Sequence, residues 1–568
     1  MATEKQKAGG EAGQSEFVLT ALGGMGEIGM NAYLYGVGPP GARQWLLVDL
    51  GITFPEGEFD PGVDVILPDL RFLEEERGAL AGILLTHAHE DHIGAVIDLA
   101  PTLRAPIYAT PFTAGMLRAK LSEFGGSVKL PINTVPLGSR AKIGPFEIEL
   151  VSMAHSIPEP SAIAIRTEHG LALHTGDWKL DERPYVGGAS DEARLADLGA
   201  AGVTALICDS TNAMREGRSP SESDIAASIA DIVKKARHRV IITTFSSNVA
   251  RIKAVADAAA KAGRTLVVGG RALHRVIAVA VETGYLPPDF RYVDQQQYRY
   301  LDRADVVLLC TGSQGEPRAA MARMAEGDHP DLSVAKGDLV IFSSRTIPGN
   351  EKAVNRIQNT LVQMGCELLT DQEAQVHVTG HPRRDELKQM YAWVKPQIAV
   401  PMHGEARHLR AHAELARQAG VPQVVTAFNG DMIRLAPGPA EIIDDVPVGR
   451  LFRDGGLIVD SVEGPVRDRR RLAQAGICVV ALAITRRGEV LGDPQVMLDG
   501  IPLEDAEGDQ MYEIVADAVD GAITSIPPKR RKDIEVVREA VRRAARSSIS
   551  SAWGKKPICK VLINVVEN

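Results

Sequence analysis

The chain has 568 residues, more than one hydrophobic core usually supports, so two or three domains are expected. Apolar residues make up 45% and charged residues 24% of the sequence, as in soluble globular proteins, and no apolar run reaches the roughly 18 residues that span a bilayer. The net charge of −10 argues against a uniformly basic nucleic-acid binder, although a local basic groove and bound cations can still attract phosphate.

The cysteines and the N-terminal segment both favour a cytoplasmic protein. The five cysteines are scattered and form neither a CxxC motif nor a disulfide framework, which predicts free thiols in a reducing compartment. Residues 1–16 are polar and rich in glycine and lack the apolar core of a signal peptide. We expect them to form a disordered tail.

The first predicted strand, Phe17–Leu22, is followed by Gly24–Gly29, which matches the pattern GxGxxG. A dinucleotide site of this pattern requires a helix after the glycines, whereas Met30–Gly36 has β character and leads into a Gly-Pro turn. We therefore predict a hairpin, with Trp45–Asp49 as a third strand. The acidic turn Asp60–Asp64 offers oxygen ligands for a structural cation, but a solvated turn is the expected outcome.

The stretch Thr86–His92, with the sequence THAHEDH, follows directly after an apolar, strand-like run. It is therefore placed at a strand end, where the functional residues of layered α/β proteins gather. His87 and His89 are two residues apart and point to one side in extended backbone, whereas Asp91 and His92 begin the next element and can face a second ion. The spacing H-x-H-x-D-H predicts a metal site.

One such cluster cannot complete two metal sites, because each ion usually takes three or more protein ligands. Three further candidates, His155, Asp177 and His403, each follow an apolar, strand-like stretch. A single residue of this kind is more often structural, but the repeated position after a strand favours additional ligands. Asp49 is expected to support the ligands through hydrogen bonds from behind.

The pattern changes after Asp209, where helices and strands alternate through to Phe342. Such βα repetition implies a parallel sheet inserted into the first domain, since the strand before His403 follows later in the chain. Two turns in this insertion, Ser246–Asn248 and Thr311–Gly315, offer hydroxyl and amide groups at helix starts, which are suited to phosphate. Both are candidate contacts for phosphate groups.

Residues 436–465 begin with a Pro-Gly-Pro segment and are expected to be a linker. Predicted strands and helices after it indicate a small α+β domain at 466–568. The basic run Lys529–Lys532 and the arginines that follow it could contact a nucleic acid, but a solvated helix face is the default interpretation.

The order H-x-H-x-D-H, His155, Asp177, His403 resembles that of the metallo-β-lactamase fold. Asp209-Ser210-Thr211, Thr379-Gly380-His381 and His403 are similar to motifs A, B and C of its β-CASP nuclease branch. Several further segments resemble bacterial ribonuclease J in particular: Phe245-Ser246-Ser247-Asn248, Thr311–Pro317, Ile347–Glu351 and His377–His381. The resemblance runs from about residue 17 to the C-terminus and departs at Thr379, where Ser is expected in most relatives and a hydroxyl is still present.

This resemblance implies an α/β fold, in which an αββα sandwich at 17–213 and 369–435 carries a parallel-sheet β-CASP domain at 214–368. It also implies two divalent ions, zinc in the first place and manganese or magnesium as alternatives. One ion is assigned to His87, His89 and His155, the other to Asp91, His92 and His403, with Asp177 bridging them. Asp91 and Asp177 would orient the attacking hydroxide, and His381, positioned by Asp209, would protonate the leaving 3′ oxygen.

The implied substrate is single-stranded RNA, degraded from 5′ to 3′ with a preference for 5′-monophosphate ends and also cut internally, in RNA maturation and mRNA decay. The predicted substrate-binding residues are Ser247, Asn248, His377, Val378, Thr379, Gly380 and His381. A homodimer or homotetramer, with RNA-degradation partners and no membrane contact, is expected.

Three alternatives stay open at this point. A small-molecule hydrolase of the same fold would not need the insertion. A β-CASP DNA nuclease tends to carry Val in motif C, where this chain has His403. An inactive scaffold subunit of an RNA-degrading complex would be expected to have lost metal ligands, and here all of them are present.

Overall fold

The computed structural model describes residues 13–55, 57, 59–124, 128–347, 349–462 and 464–566. Most of the expected disordered tail, residues 1–12, lies outside this range, and Glu16 already begins the first strand. The chain divides into two compact units, one formed by 1–53 and 66–450 and the other by 54–65 and 451–568.

Two mixed sheets share one apolar core in the first unit. Leu19 and Leu46 from the first sheet and Ile165 and Ile207 from the second belong to the same buried cluster, so the sheets pack face to face. The first sheet contains, in spatial order, Glu441–Asp445, Asp431–Ala436, Glu16–Gly23, Ala32–Gly38, Gln44–Val48, Leu80–Leu84, Ile107–Ala109 and Ile132–Thr134. The second contains Gln423–Val424, Ile398–Met402, Ala205–Asp209, Gly170–His174, Ser161–Thr167, Phe146–Ser152 and Arg140–Ile143.

Helices cover the outer face of the second sheet. Leu195, Leu387 and Leu415, each from a different helix, pack in one buried cluster with sheet residues such as Leu173 and Leu206. These helices are Glu192–Ala201, Arg384–Val394 and Ala406–Gln418. The helices that accompany the first sheet are Arg71–Glu75, Glu90–Ile93, Val96–Leu103 and Pro111–Glu123, with the 3-10 turn Arg77–Ala79. The arrangement is a helix–sheet–sheet–helix sandwich.

The third sheet of this unit is parallel throughout its six strands, as the βα repetition predicts. In spatial order its strands are Val293–Asp294, Thr265–Gly269, Val306–Cys310, Val240–Thr243, Leu339–Phe342 and Glu367–Leu369. The accompanying helices are Glu222–Lys235, Val249–Lys261, Arg271–Glu282, Ala320–Glu326 and Glu351–Gln363, with 3-10 turns at Gln295–Tyr300 and Arg303–Asp305. The sheet lies between Asp209 and His403 in the chain, so it is inserted into the sandwich.

The region 436–465, which the sequence predicts as a linker, contains regular structure. Glu441–Asp445 pairs with Asp431–Ala436 at the edge of the first sheet, and Arg450–Asp454 and Leu457–Asp460 form an antiparallel hairpin. An edge strand tolerates acidic side chains, because one side of it faces water. The acidic residues that follow the Pro-Gly-Pro segment are therefore compatible with a strand at this edge.

The second unit packs two helices, Met511–Ser525 and Ile534–Trp553, on a sheet of Gln495–Asp499, Ile477–Thr485 and Ile558–Val566. The helix Pro465–Ala475 precedes this sheet.

Several charged residues of the second unit form ion pairs or hydrogen bonds within that unit. Arg542 and Arg543, which follow the basic run, pair with Glu539 on their own helix, which fits a solvated helix face for these arginines. In the acidic turn, Asp60 pairs with Arg470, and Asp64 accepts a hydrogen bond from the backbone of Gly455. Within the described ranges, no helix has the length and apolar character needed to cross a membrane.

Candidate metal centre

The candidate ligands meet because the strands that precede them are neighbours. Gly170–His174, Ala205–Asp209 and Ile398–Met402 run parallel, so their carboxyl ends lie at one edge of the second sheet. This edge carries Asp177, Asp209 and His403. The THAHEDH turn follows the strand Leu80–Leu84 of the first sheet, and His155 follows Phe146–Ser152 of the second.

One group of ligand atoms is formed by three imidazoles. His89 Nδ1 lies 3.0 Å from His87 Nε2 and 3.1 Å from His155 Nε2, and Asp177 Oδ2 lies 3.8 Å from each of these Nε2 atoms. The side chains of His87, His155 and Asp177 are almost completely buried. Three nitrogens and one carboxylate oxygen that converge in this way are a suitable donor set for a divalent ion.

A second group shares Asp177. Its Oδ2 atom lies 3.2 Å from His92 Nε2 and 3.5 Å from His403 Nε2, and Asp91 Oδ2 lies 3.5 and 3.7 Å from the same two nitrogens. The Asp91 side chain is 30% exposed, whereas the other three are at most 2% exposed. Asp91 is therefore the ligand of this group that faces the solvent side of the centre.

His381 and Asp209 stand beside these groups. His381 Nδ1 lies 2.8 Å from Asp209 Oδ2 and 3.8 Å from Asp177 Oδ2, and its ring stacks on His403 with 5.5 Å between the centroids. Together with Asp177 and His403 they form a third cluster whose polar atoms all lie within 4.8 Å of one another. His381 is 21% exposed and Asp209 is fully buried, so the imidazole is the member of this pair that can reach a substrate.

Asp49 holds the ligands from behind, as the sequence predicts. Its Oδ2 atom accepts hydrogen bonds from His92 Nδ1 at 2.6 Å and from the Thr86 hydroxyl at 2.8 Å, and Oδ1 accepts from the Thr86 amide at 2.8 Å. Thr86 Oγ1 in turn lies 2.9 Å from His87 Nδ1. These bonds fix the orientation of one ligand from each metal group.

The sequence did not single out Asn31, which supports His403. Asn31 Oδ1 accepts from His403 Nδ1 at 2.8 Å and from the Tyr33 hydroxyl at 2.9 Å, and the Asn31 side chain is completely buried. The GxGxxG segment also serves this ligand, because the Gly24 carbonyl accepts from the His403 amide at 2.7 Å. The strand Ala32–Gly38 follows the glycines, so the predicted hairpin is present instead of a dinucleotide-binding helix. A polar residue directly before the apolar strand Ala32–Gly38 was the available signal for Asn31.

Motif B contacts the first group through its backbone. The Gly380 carbonyl accepts a hydrogen bond from His155 Nδ1 at 2.6 Å. A Cβ on residue 380 would overlap the His155 ring, so glycine is needed for this approach. Asn212, also missed by the sequence analysis, donates through Nδ2 to the Thr379 hydroxyl at 2.8 Å and to the His381 carbonyl at 3.2 Å. These bonds hold the segment 377–381 against the metal ligands.

The residues predicted to contact phosphate differ in their exposure and in whether their polar groups are already hydrogen-bonded. Val378 is 3% exposed, so its side chain is not available to a ligand, and Asn248 Oδ1 caps its helix by accepting from the Arg251 amide at 2.9 Å. His377 Nδ1 is buried without a hydrogen-bond partner in the described ranges. The pKa of His377 is well below its usual value because of burial and then the nearby positive charge of Arg251. Ser247, at the turn before that helix, is partly exposed.

Electrostatics in the centre favours neutral imidazoles at the first group. Burial lowers the pKa of His89 to about 4, and it lowers the pKa values of His87 and His155 well below the usual range. For His92, burial acts in the same direction, but the surrounding carboxylates, first of all Asp177, outweigh it and raise the pKa. Without an ion, a proton on His92 compensates these carboxylates, and a bound cation can supply that positive charge instead.

His381 also retains its proton. Burial lowers its pKa, but Asp209 and Asp177 outweigh burial and raise the pKa to about 9. The pKa of Asp177 is low, because the surrounding imidazoles, first of all His403, outweigh the effect of burial.

Unsatisfied atoms show that the centre fits metal ions. Asp177 Oδ1 and His403 Nε2 are buried and have no hydrogen-bond partner among the described residues. Buried polar atoms in native proteins are nearly always satisfied. Two clusters, each of four histidine or aspartate residues whose ligand atoms lie within 4.8 Å of one another, supply the nitrogen and oxygen donors that divalent ions take. The donor set and the orphaned atoms both favour a divalent metal site.

Comparisons with known families cover most of the chain. Residues 59–204 match the "Beta-lactamase superfamily domain", 237–361 match "Ribonuclease J, beta-CASP domain", 373–426 match "Zn-dependent metallo-hydrolase RNA specificity domain" and 464–567 match "Ribonuclease J C-terminal domain". Ribonuclease J of Sinorhizobium meliloti is 51% identical over 564 residues, which cover 99% of this chain and 100% of that protein.

The chain belongs to the ribonuclease J family. Ribonuclease J of Mycolicibacterium smegmatis is 36% identical and covers 95% of this chain and 96% of its own length, and that of Thermus thermophilus is 36% identical with 97% and 96% covered. A crystal structure of a protein of unknown function from Enterococcus faecalis shares the fold, with a TM-score of 0.51, 16% identity and coverage of 74% of this chain and 100% of that one.

The membership confirms two predictions from the sequence. The fold is a metallo-β-lactamase domain with a β-CASP insertion and a ribonuclease J C-terminal domain. The chain is a metal-dependent ribonuclease.

Proposed function

We propose that this ribonuclease removes nucleotides stepwise from the 5′ end of single-stranded RNA, prefers a 5′-monophosphate and also cuts internally. The observation that supports it best is the hydrogen bond from His155 to the Gly380 carbonyl, which joins the predicted phosphate-binding segment to a metal ligand. A terminal phosphate held by residues 377–381 would lie directly beside the hydrolytic centre, so cleavage next to it would release a very short product. The proposed roles are RNA maturation and mRNA decay in the cytoplasm.

The proposed cofactor is a pair of divalent ions. One would be held by His87, His89 and His155 and the other by Asp91, His92 and His403, with Asp177 shared between them. In each of these two groups, with Asp177 included, the ligand atoms lie within 4.8 Å of one another. Zinc suits the histidine-rich donor set, and manganese or magnesium is the alternative that the carboxylates allow. Bound ions of this kind lower the pKa of water and neutralise charge on the scissile phosphate.

The protein's own groups would position the reactants and move the proton. Asp91, the exposed carboxylate of the centre, and Asp177 would accept hydrogen bonds from the attacking water and orient it. Asp209 holds His381 through Nδ1, which leaves Nε2 as the ring nitrogen free to face the substrate. A proton on that Nε2 is in place for transfer to the leaving 3′ oxygen.

The phosphate site is proposed to combine backbone and side-chain groups. His377, the Thr379 hydroxyl and the amides of Val378 and Gly380 would contact the terminal phosphate, with Ser247 and the Asn248 amide group on the opposite side. Burial and nearby cations keep the His377 imidazole neutral, so it would act as a hydrogen-bond partner and not as a charge.

The direct test uses one single-stranded RNA labelled at its 3′ end, with either a 5′-monophosphate or a 5′-triphosphate. We expect faster nucleotide release from the monophosphate form and loss of both exonucleolytic and internal cleavage in His87→Ala. His238→Ala, which removes an exposed histidine of the insertion, is the matched control and should leave the rates unchanged. Equal rates on the two RNAs would refute the 5′ preference, and cleavage of single-stranded DNA but not RNA would refute the RNA assignment.

The role of His381 has its own test, because the third cluster also allows it to act as a ligand. We expect His381→Ala to keep its metal content and to lose a factor of about 10²–10⁴ in kcat, as for removal of a general acid. Loss of bound metal in this variant would make His381 a ligand and refute the proton-transfer role.

We further propose assembly into a homodimer or homotetramer through the second unit, with other RNA-degrading proteins as further partners. The sheet of this unit carries exposed apolar side chains on the face away from its helices, including Met497 and Leu562, which are 51% and 56% exposed. Light scattering of the wild type and Leu562→Lys should show a smaller particle for the variant. An unchanged mass would exclude this face as the contact.

A further inference from the structure

Two cysteines of the second unit are neighbours in its sheet. Cys478 and Cys559 are paired in register on the parallel strands Ile477–Thr485 and Ile558–Val566. Adjacent strands lie about 4.8 Å apart, which is within the 4.4–6.8 Å Cα separation that disulfides require. The register alone therefore brings the two backbones to a bridging distance.

The side chains also point to the same face. Cys478 belongs to the buried cluster beneath the helices, and Cys559 packs against that cluster. Residues paired in register on adjacent strands share a face because side chains alternate along both strands. Both sulfurs are free thiols that interact with each other: the Cys478 thiol lowers the pKa of Cys559, and the same interaction, followed by burial, raises the pKa of Cys478.

The two thiols differ in access and in charge environment. Cys478 is completely buried, whereas Cys559 is partly exposed. Arg546 and Arg542, on the helix that covers this strand, act on Cys559 and favour its thiolate. Arg542 is already paired with Glu539 at 2.7 Å, whereas Arg546 Nε is buried and has no hydrogen-bond partner in the described part of the chain. An accessible thiol beside a cation is the typical environment of a reactive cysteine.

We propose that Cys559 and Cys478 form a peroxide-oxidised pair, in which Cys559 reacts first and Cys478 resolves the product to a disulfide. The Cys559 thiolate attacks hydrogen peroxide, an S–O bond forms, the O–O bond breaks and hydroxide leaves to become water. Cys478 then attacks the sulfenic sulfur, the S–S bond forms and a second water leaves. Two thiols lose two electrons in total, and one peroxide gains them. The disulfide ties the C-terminal strand covalently to the central strand of its sheet.

The test uses the full-length protein, a small excess of hydrogen peroxide, a catalase quench and alkylation of the remaining thiols after denaturation. We expect a loss of 2 Da and a cross-linked peptide that contains Cys478 and Cys559, with Cys208, Cys310 and Cys366 still alkylated. Dithiothreitol should restore both thiols. Oxidation of Cys559 to sulfinic acid without a cross-link, or faster oxidation of any of the three remote cysteines, would refute the pair.

Variants distinguish the order of the two steps. Cys478→Ser should leave a sulfenic acid on Cys559 that dimedone traps, and Cys559→Ser should leave Cys478 unreacted. Arg546→Gln should slow the first step severalfold, whereas Arg543→Gln, on the same helix but 76% exposed at its side chain, should not. Equal oxidation rates for both arginine variants would show that Arg546 does not assist the first step. Trapping of the sulfenic acid on Cys478 would reverse the proposed order.

Discussion

Replacement of Asp49 by asparagine tests whether hydrogen bonds behind the ligands hold the metal centre together. The change keeps the shape of the side chain but removes one acceptor oxygen. Oδ1 can still accept from the Thr86 amide, whereas the new amide nitrogen faces His92 Nδ1, where the carboxylate now accepts at 2.6 Å. His92 must then lose its Nδ1 proton to accept from that amide, or leave both groups unsatisfied.

Either outcome weakens metal binding. A proton moved from Nδ1 to Nε2 of His92 blocks the nitrogen that lies 3.2 Å from Asp177 Oδ2, because a protonated nitrogen cannot bind a cation. If the tautomer is kept, a hydrogen bond to a charged acceptor is lost, which costs about 1.5–3 kcal/mol. At 1.4 kcal/mol for each factor of ten, this predicts metal affinity lower by a factor of about 10–100, the range observed when such supporting groups are removed.

The measurement is metal content after dialysis and affinity by chelator competition, with RNA cleavage followed in the same samples. Asp338→Asn is the matched control, because Asp338 is also completely buried and paired with arginines but lies in the inserted domain. It should destabilise the protein without changing metal affinity. If Asp49→Asn binds both ions as tightly as the wild type, the reasoning about the His92 tautomer is wrong.

Three further changes probe other contacts. Gly380→Ala should push the His155 ring aside at a cost of about 1–3 kcal/mol, visible as weaker metal binding with unchanged circular dichroism. Arg251→Met removes the completely buried guanidinium that donates to the Val376 carbonyl at 2.6 Å, so it should cost about 3–5 kcal/mol and reduce the 5′-monophosphate preference measured with the two RNAs. The ammonium of the lysine two residues before Asp181, together with hydrogen bonds, outweighs burial and lowers the pKa of Asp181 in the folded protein. Asp181 therefore contributes stability that should be lost as the pH falls below about 4. The melting temperature of Asp181→Asn should be less sensitive to acid than that of the wild type.

The residues predicted as metal ligands lie together in the fold because their positions in the chain are linked to the ends of strands. Asp177 and His403 follow short apolar strands of the second sheet, and the parallel pairing of both strands with Ala205–Asp209 brings their ends to one edge. His87 follows a short apolar strand of the first sheet, which packs against the second. The supporting residues are harder to find. Asn31 lies at the start of a strand-like segment, and its supporting role depends on a hydrogen bond with His403, 372 residues away in the chain.

The regular structure within the predicted linker has a different physical origin. Residues 441–445 are acidic and follow a Pro-Gly-Pro segment, which locally favours a loop. Pairing with Asp431–Ala436 overrides this preference, because the edge position leaves the carboxylates in water while the backbone gains a hydrogen-bonded ladder. Cys478 and Cys559 also could not be paired from the sequence: they are 81 positions apart in the chain, and only the register of their strands makes them neighbours.

Backbone geometry links these supporting contacts to the chemistry of the centre. Asp49 and His403 adopt left-handed backbone conformations, with φ values of 62° and 50°, which are unfavourable for residues other than glycine. Both are held there by backbone hydrogen bonds, from the Asp49 amide to the Leu84 carbonyl at 2.9 Å and from the His403 amide to the Gly24 carbonyl at 2.7 Å. The protein scaffold itself maintains this strain, because both bonds join protein groups. We therefore expect the directions of the candidate ligand His403 and of Asp49, which holds the candidate ligand His92, to be set before a cation binds, so that less of the binding free energy is spent on arranging them.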